Sequence, residues 1–149
     1  MTAWAIELWG DGYERWLTRE LSDYEQAVLD AGIEAILKPY GIDICSTEFG
    51  KALGKGLYEF RIRQSLYALR SWGKPAGSVE HVPGDDRKVL LRVFLTFKGL
   101  KAVILFHGLN KKSDSTEKRQ NKEIARARKM LKAYEIERLA EAKKSRRGR

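Results

Sequence analysis

Two arginines lie in the middle of segments that otherwise read as apolar strands. Arg61 belongs to the segment LYEFRIR and Arg92 to the segment VLLRVFLTF. A buried guanidinium without a partner is costly, so each arginine needs either a carboxylate or an anionic ligand. Glu59 is a candidate for the carboxylate. If the two strands are neighbours in a sheet, both arginines line one shallow groove, and this arrangement predicts phosphate binding.

Other basic residues flank these two positions. Lys51 and Lys55 precede the strand of Arg61, and Arg63 ends that strand. Lys111 and Lys112 follow the last predicted strand. Cations that converge from three segments favour a phosphate site over scattered surface charge. The alternative is that these side chains are solvated, or paired with acidic residues of a helix. The charge pattern alone leaves both interpretations open.

The sequence offers few candidates for other chemistry. His81 and His107 are the only histidines and no spacing unites them, so we expect at most that His107, at a strand end, lies near the site. The acidic residues show no metal-ligand spacing, and the single Cys45 excludes a cysteine-rich zinc site. GKALGKG is not a Walker motif, because no Ser or Thr follows its lysine. We therefore expect no metal and no cofactor.

Charge is unevenly distributed along the 149 residues, whose formal net charge is +9. Residues 1–50 hold three Lys or Arg and ten Asp or Glu, whereas residues 51–109 hold eleven and four, and residues 110–149 hold fifteen and six. This asymmetry predicts a polyanionic partner bound by one side of the molecule, with a solvated basic tail as the alternative. Charge alone separates nucleic acid poorly from a membrane surface.

The chain shows no signal for a membrane or for secretion. No stretch approaches the roughly 18 apolar residues that span a bilayer. The start MTAWAIELWGDGYERW has no basic region followed by an apolar run, as a signal peptide would. We expect a cytoplasmic protein without a membrane partner.

The hydrophobic pattern predicts one α+β domain. Strands are expected at residues 3–9, 57–63, 89–97 and 101–109, of which the last two form an antiparallel hairpin. Two N-terminal helices follow the first strand, and a capping box of Ser22 and Glu25 opens the second of them. Residues 64–88 read as a long connection.

A long C-terminal helix is expected from about residue 116, where apolar residues recur at helical spacing. The predicted fold is a small, mostly antiparallel sheet with the helices packed on it. The domain is expected to span residues 1–142, and residues 143–149 to form a basic flexible tail.

Four segments, KALGKGLYEFRIR, LLRVFLTF, AVILFHGLNKK and EIARARKML, together resemble the RelE/HigB superfamily of type II toxins. The phage-derived HigB-like branch is the most similar, with a lysine-rich segment before an arginine-bearing strand, a later strand ending near two lysines, and a helix that alternates alanine with basic residues. The resemblance runs from the first strand to about Leu139. The predicted order of elements agrees with the small α+β fold of this family.

The resemblance implies a metal-independent mRNA endoribonuclease that often acts on messages in the ribosome and so inhibits translation. Such toxins promote attack by a 2′-hydroxyl on its own phosphate, which gives a 2′,3′-cyclic phosphate and a 5′-hydroxyl. The reaction depends on charge stabilisation more than on a strong nucleophile. By position, Arg61 and Arg92 would clamp the phosphate, Lys112 or Lys111 would assist the leaving oxygen, and His107 would act as base or acid.

The same resemblance assigns RNA binding to Lys51, Lys55, Arg63 and Lys111. The sequence departs from the family pattern in its long connection at 64–88 and in a C-terminal helix without an obvious catalytic tyrosine. Two alternatives stay open, a non-nuclease toxin that targets DNA gyrase and a basic RNA-binding module without catalysis. The expected partners are a cognate antitoxin with a helix-turn-helix, mRNA and the ribosome.

Overall fold

The computed structural model describes residues 3–112 and 115–147. Within them the strands are β1 (Ala5–Leu8), β2 (Gly50–Gly54), β3 (Leu57–Ile62), β4 (Leu91–Lys98) and β5 (Ala102–Asn110). The α-helices are α1 (Gly12–Glu20), α2 (Asp23–Gly32), α3 (Lys38–Tyr40), α4 (Leu66–Arg70) and α5 (Glu117–Arg147). The predictions of the α+β class and of a long C-terminal helix are confirmed.

The strands form one sheet in the order β1-β5-β4-β3-β2. Strands β2 to β5 run antiparallel to one another, while β1 lies parallel to β5 at one edge. The sheet is therefore mixed, and the prediction of a mostly antiparallel sheet describes only the part from β2 to β5. Alternating apolar residues show which side chains share a face, but they do not show which way a distant strand runs.

The N-terminal helical region is longer and less regular than two plain helices. The capping box is confirmed, because Ser22 Oγ accepts from the Glu25 amide and Glu25 Oε1 accepts from the Ser22 amide at 3.0 Å. After α2 the chain makes a π-helical turn at Ile33–Leu37, then α3, then a 3₁₀ helix at Gly41–Ser46. These additional turns keep the chain helical as far as Ser46, four residues before β2 begins.

Each face of the sheet has its own core. The back face is covered by α1, α2 and α4, and its buried strand residues are Phe60, Ile62, Leu91, Val93, Leu95, Val103 and Leu105. The front face is covered in part by α5, and its buried strand residues are Leu57, Phe94, Ile104, Phe106 and Leu109. The apolar residues of LYEFRIR and VLLRVFLTF therefore alternate between the two faces.

Helix α5 leaves Arg61 of β3 and Arg92 of β4 partly exposed on the front face. Its buried stripe of Ala127, Leu131 and Tyr134 packs on that face, as the helical spacing predicts. On one side of the helix, the Arg128 guanidinium donates to Leu53 O at 2.5 Å and to Gly54 O at 3.1 Å. This contact fixes α5 against the β2–β3 hairpin without covering the far ends of β3 and β4.

Two elements were not predicted. The segment GKALG forms β2 because it pairs with β3, although its two glycines and its lysine have low strand propensity. Within the connection 64–88, Leu66–Arg70 forms α4, and the Ser65 side chain accepts from the Ala68 amide at its start. Residues 143–147 continue α5 with exposed side chains. Residues 148 and 149 of the predicted tail lie outside the described residues, and the boundary at 142 stays a prediction.

Candidate functional site

Arg61 and Arg92 meet on the front face. Strands β3 and β4 pair with Arg61 directly opposite Arg92, and opposed side chains of an antiparallel pair lie about 5 Å apart at Cβ. Glu59 supplies a counter-charge. It is only 1% exposed, and its Oε1 lies 3.2 Å from Arg61 Nε and 3.0 Å from Arg92 Nη1. The candidate carboxylate is therefore shared by both guanidiniums.

The shared carboxylate satisfies neither arginine fully. Glu59 Oε1 and Arg61 Nε make no aligned hydrogen bond within the described chain, although they lie within ion-pair distance. The side chains of Arg61 and Arg92 stay 21% and 12% exposed. Buried polar groups left imperfectly satisfied are few in native proteins and call for a functional or structural explanation. The guanidinium N–H groups that point away from Glu59 are the donors that an anion would meet.

Lys111 and Arg63 complete a group that we call the front cluster, formed by Arg61, Arg63, Arg92 and Lys111. The Lys111 amide donates to Leu90 O at 2.8 Å, which holds the chain after β5 beside β4. The four cations line a depression of about 20 Å³. Such a depression is too shallow to enclose a small molecule, so a phosphate would dock against it from solvent.

The electrostatics of the front cluster favour an anion. Burial lowers the pKa of Lys111, and the positive charges of Arg92, Arg61 and Arg63 lower it further. The Glu59 carboxylate acts in the opposite direction and raises this pKa. Burial also lowers the pKa of Arg92, but a guanidinium stays charged in proteins. Lys111 therefore gives up its proton more easily than an ordinary lysine, which suits a proton donor.

Of the two lysines that follow β5, only Lys111 lies at the site. Lys112 is exposed, and its ammonium donates to Lys88 O at 2.5 Å. Its backbone amide donates to Asn110 Oδ1 at 3.0 Å. These bonds hold the Lys112 side chain outside the depression, so the geometry does not support the predicted catalytic role of Lys112.

The two lysines of the β2–β3 hairpin are placed differently. Lys51 lies opposite Glu59 in β2, exposed on the front face beside the cluster, where it can contact a bound strand. Lys55 occupies the hairpin turn with a φ of 55°, in a hollow lined by Leu131 of α5. At six residues from Arg61 along the hairpin, Lys55 is roughly 20 Å from the cluster.

His107 is buried away from the front cluster. It lies opposite Phe94 on the front face, and α5 leaves it 2% exposed. Its Nδ1 is 3.4 Å from Glu123 Oε2 and its Nε2 is 3.0 Å from Glu123 O. Burial lowers the pKa of His107, and this effect is larger than the increase caused by the Glu123 charge. The ring is therefore neutral at pH 7. A ligand at the front cluster does not reach it, and the predicted acid or base role has no geometric support.

Sequence reasoning missed two features of the site. It named Glu59 as a candidate carboxylate for a strand arginine, but it did not predict that one carboxylate is shared by both arginines. It gave no role to Arg128, whose backbone acceptors lie 75 and 74 residues earlier in the chain. No local pattern points to such a distant contact.

Within residues 3–112 and 115–147, no three His, Cys, Asp or Glu side chains come together as ligands for a metal ion. The helices of the described chain include none that is both long and apolar enough to cross a membrane. Comparison with protein-family models, with curated proteins and with solved structures finds no match to this chain.

Proposed function

We propose that this protein is a metal-independent endoribonuclease that binds single-stranded RNA on the front face of its sheet. The observation that carries the proposal is the convergence of Arg61, Arg63, Arg92 and Lys111 around the single carboxylate of Glu59. Guanidinium groups bind phosphate through paired N–H donors. An open depression on a sheet face suits a strand that crosses the surface better than a small molecule that must be enclosed.

The reaction that suits this site is an internal transesterification. The ribose 2′-oxygen bonds to the adjacent phosphorus while the bond from phosphorus to the 5′-oxygen breaks. The 2′-hydroxyl loses its proton to solvent, and the 5′-oxygen gains one. Arg61 and Arg92 stabilise the added negative charge of the phosphorane, and Lys111 donates a proton to the leaving oxygen. Glu59 keeps the two guanidiniums in place without contacting the substrate.

RNA binding without cleavage is the second candidate function. It is favoured by the burial of His107, because the imidazole that would serve as acid or base lies under α5. The two candidates predict the same binding surface and differ in chemistry alone. A test must therefore measure binding and cleavage separately.

The test uses full-length protein and labelled single-stranded RNA in the presence of a chelator. We expect fragments with a 2′,3′-cyclic phosphate and a 5′-hydroxyl, and no cleavage where the ribose carries a 2′-O-methyl group. Arg61→Ala and Arg92→Ala should each lower the rate by about 100-fold or more, as removal of one charge-stabilising donor does in other enzymes. Lys74→Ala, at an exposed position beside α2 on the back of the sheet, is the matched control and should keep the rate.

The outcomes separate the candidates. Intact RNA that still binds the protein would support binding without catalysis. RNA that is neither bound nor cut would refute both candidates.

We also propose, from the resemblance, that the cleavage serves as the toxin activity of a RelE/HigB-type system, of the phage-derived HigB-like branch. Its targets would be mRNAs on ribosomes in the cytoplasm, and its partner an antitoxin with a helix-turn-helix. Induced expression should arrest growth and create codon-phased message ends in primer extension, and Arg92→Ala should abolish both. DNA breaks with intact messages would instead indicate an action on gyrase.

A further inference from the structure

A second basic cleft lies across α5 from the front cluster. Arg128 contacts the β2–β3 hairpin from one side of α5, whereas Arg119 contacts Glu20 of α1 from the other side. Between α1, the end of β5 and the start of α5 is a cleft of about 120 Å³, which we call the α1–α5 cleft. Its charged lining residues are Arg15, Arg19, Arg119, Arg126, Glu20 and Glu123.

The carboxylates of this cleft are already engaged from α5. The Arg119 guanidinium lies 2.7 Å from Glu20 Oε1 and 3.4 Å from Glu123 Oε1, and Arg126 approaches Glu123 at 4.0 Å. Four arginines against two carboxylates leave a net charge of +2 at the cleft, since the nearby His107 ring is neutral at pH 7. The two excess positive charges belong to arginines of α1.

The surplus cations are Arg15 and Arg19 of α1. Arg15 is 3.5 Å from Asp11, but both side chains are more than half exposed, and such surface pairs contribute little. Arg19 forms no ion pair with any residue in 3–112 or 115–147. The two lie four residues apart and therefore share one face of the helix.

The placement of these arginines is unusual for their part of the chain. Residues 1–50 contain three Lys or Arg against ten Asp or Glu, and two of those three basic residues line this cleft. A general need for solubility would not bring the cations of an acidic segment into one place. Lys122 and Lys129 of α5, together with Arg119 and Arg126, extend the basic surface over the outside of the helix.

We infer that the α1–α5 cleft is a second phosphate site for the RNA strand held by the front cluster. The inference rests on the proposed function and extends it, because it makes the substrate a polymer that crosses α5. An RNA strand carries evenly spaced phosphate charges, which match a continuous basic surface. A protein partner that offered one acidic side chain would need only a single arginine. An RNA strand that joins the two sites crosses two strand spacings of the sheet, roughly 10 Å. It also crosses the width of α5, about 10 Å.

The test compares RNAs that can and cannot reach the cleft. Fluorescence titrations at several salt concentrations measure the affinity of the full-length protein and of its Arg15→Ala/Arg19→Ala variant for two RNAs. One RNA is a trinucleotide and the other is a single strand of about 15 nucleotides. For single strands, each lost phosphate contact lowers the slope of log affinity against log salt concentration by about 0.7. With the long RNA, the variant should therefore show a slope smaller by about 1.4 and an affinity lower by roughly 10-fold or more. The loss should be confined to RNAs long enough to reach the cleft.

The matched control is Lys143→Ala/Lys144→Ala, which removes the same charge from exposed positions near the end of α5. At 24 residues from Arg119, Lys143 is about 36 Å away along the helix, and this variant should keep the wild-type slope. Both substitutions introduce alanine, the best helix former, and circular dichroism checks the folding of each variant.

Three results would overturn the inference. One is an unchanged slope for the long RNA in Arg15→Ala/Arg19→Ala, another is an equal change in the control variant, and the third is an equal loss with the trinucleotide. In each case the proposed function survives if Arg61→Ala still weakens binding. If Arg61→Ala and Arg92→Ala also leave binding unchanged, the proposed function fails as well.

Discussion

Replacing Glu59 by glutamine tests whether one carboxylate holds the two guanidiniums of the site. The substitution keeps the size of the side chain and removes its charge. Glu59 is 1% exposed, and it is the counter-charge that lies within 3.2 Å of Arg61 and 3.0 Å of Arg92. Glu59→Gln therefore leaves two like charges opposite each other on neighbouring strands.

The expected loss of stability follows from burial. Removing one partner of a fully buried ion pair costs about 3–5 kcal/mol. The cost here is smaller, about 2 kcal/mol, because Arg61 and Arg92 reach solvent over 21% and 12% of their side chains and the glutamine oxygen still accepts a hydrogen bond. For a chain of this length, 2 kcal/mol corresponds to a decrease in Tm of about 4–8 °C.

Glu59→Gln should affect RNA binding and RNA cleavage differently. Glu59→Gln adds one positive charge to the site, so the affinity for RNA should be kept or increased. The rate of cleavage should fall, because the guanidiniums no longer have a fixed separation. A simple loss of folding would lower affinity and rate together, so measurement of both properties distinguishes the two explanations.

The assay is urea unfolding and thermal unfolding of Glu59→Gln beside Glu80→Gln. Glu80 is exposed, and the same change there should alter the free energy of unfolding by less than about 0.5 kcal/mol. A double variant with Arg92→Met should recover part of the lost stability, since a buried pair can often be replaced by apolar side chains. If Glu59→Gln is as stable as Glu80→Gln, the shared ion pair does not hold the site.

Three further predictions concern single residues. Stability should fall as the pH drops below about 6.5, because His107 with its lowered pKa binds a proton mainly in the unfolded chain; urea unfolding should show this dependence flattened in His107→Gln. Gly108→Ala should lower the free energy of unfolding by about 1–3 kcal/mol, because its Cβ would lie 2.5 Å from the Trp16 ring; an unchanged Tm would contradict this packing. Lys111→Gln should slow RNA cleavage by about tenfold or more and Lys112→Gln by less than about twofold, and equal rates would argue against Lys111 as the proton donor.

The parts of the fold that depend on neighbouring residues could be predicted from the sequence. Alternation in β3 and β4 places Arg61 and Arg92 on the face opposite Phe60 and Val93, and the structure has them there. The capping box at Ser22 depends on a residue only three positions away. Both patterns are local, so one sequence is enough to read them.

The parts that depend on distant contacts could not be predicted in this way. Strand β2 forms from glycine-rich residues because β3 provides hydrogen-bond partners, and its own sequence favours a loop. The parallel pairing of β1 with β5 joins Ala5 to Ala102. The placement of Lys111 inside the site and of Lys112 outside it depends on backbone oxygens of Leu90 and Lys88. No pattern within the last strand separates these two lysines.

The docking position of α5 determines which predicted residues can act. On the front face His107 is diagonal to Arg92, because β4 and β5 pair His107 with Phe94 and Leu109 with Arg92. Helix α5 buries His107 beneath Glu123 and leaves Arg92 partly exposed. Its apolar stripe could be read from the sequence, but the part of the sheet that the stripe covers could not. The proposed catalysis by charge stabilisation without an imidazole therefore follows from where this helix packs, and not from the basic residues alone.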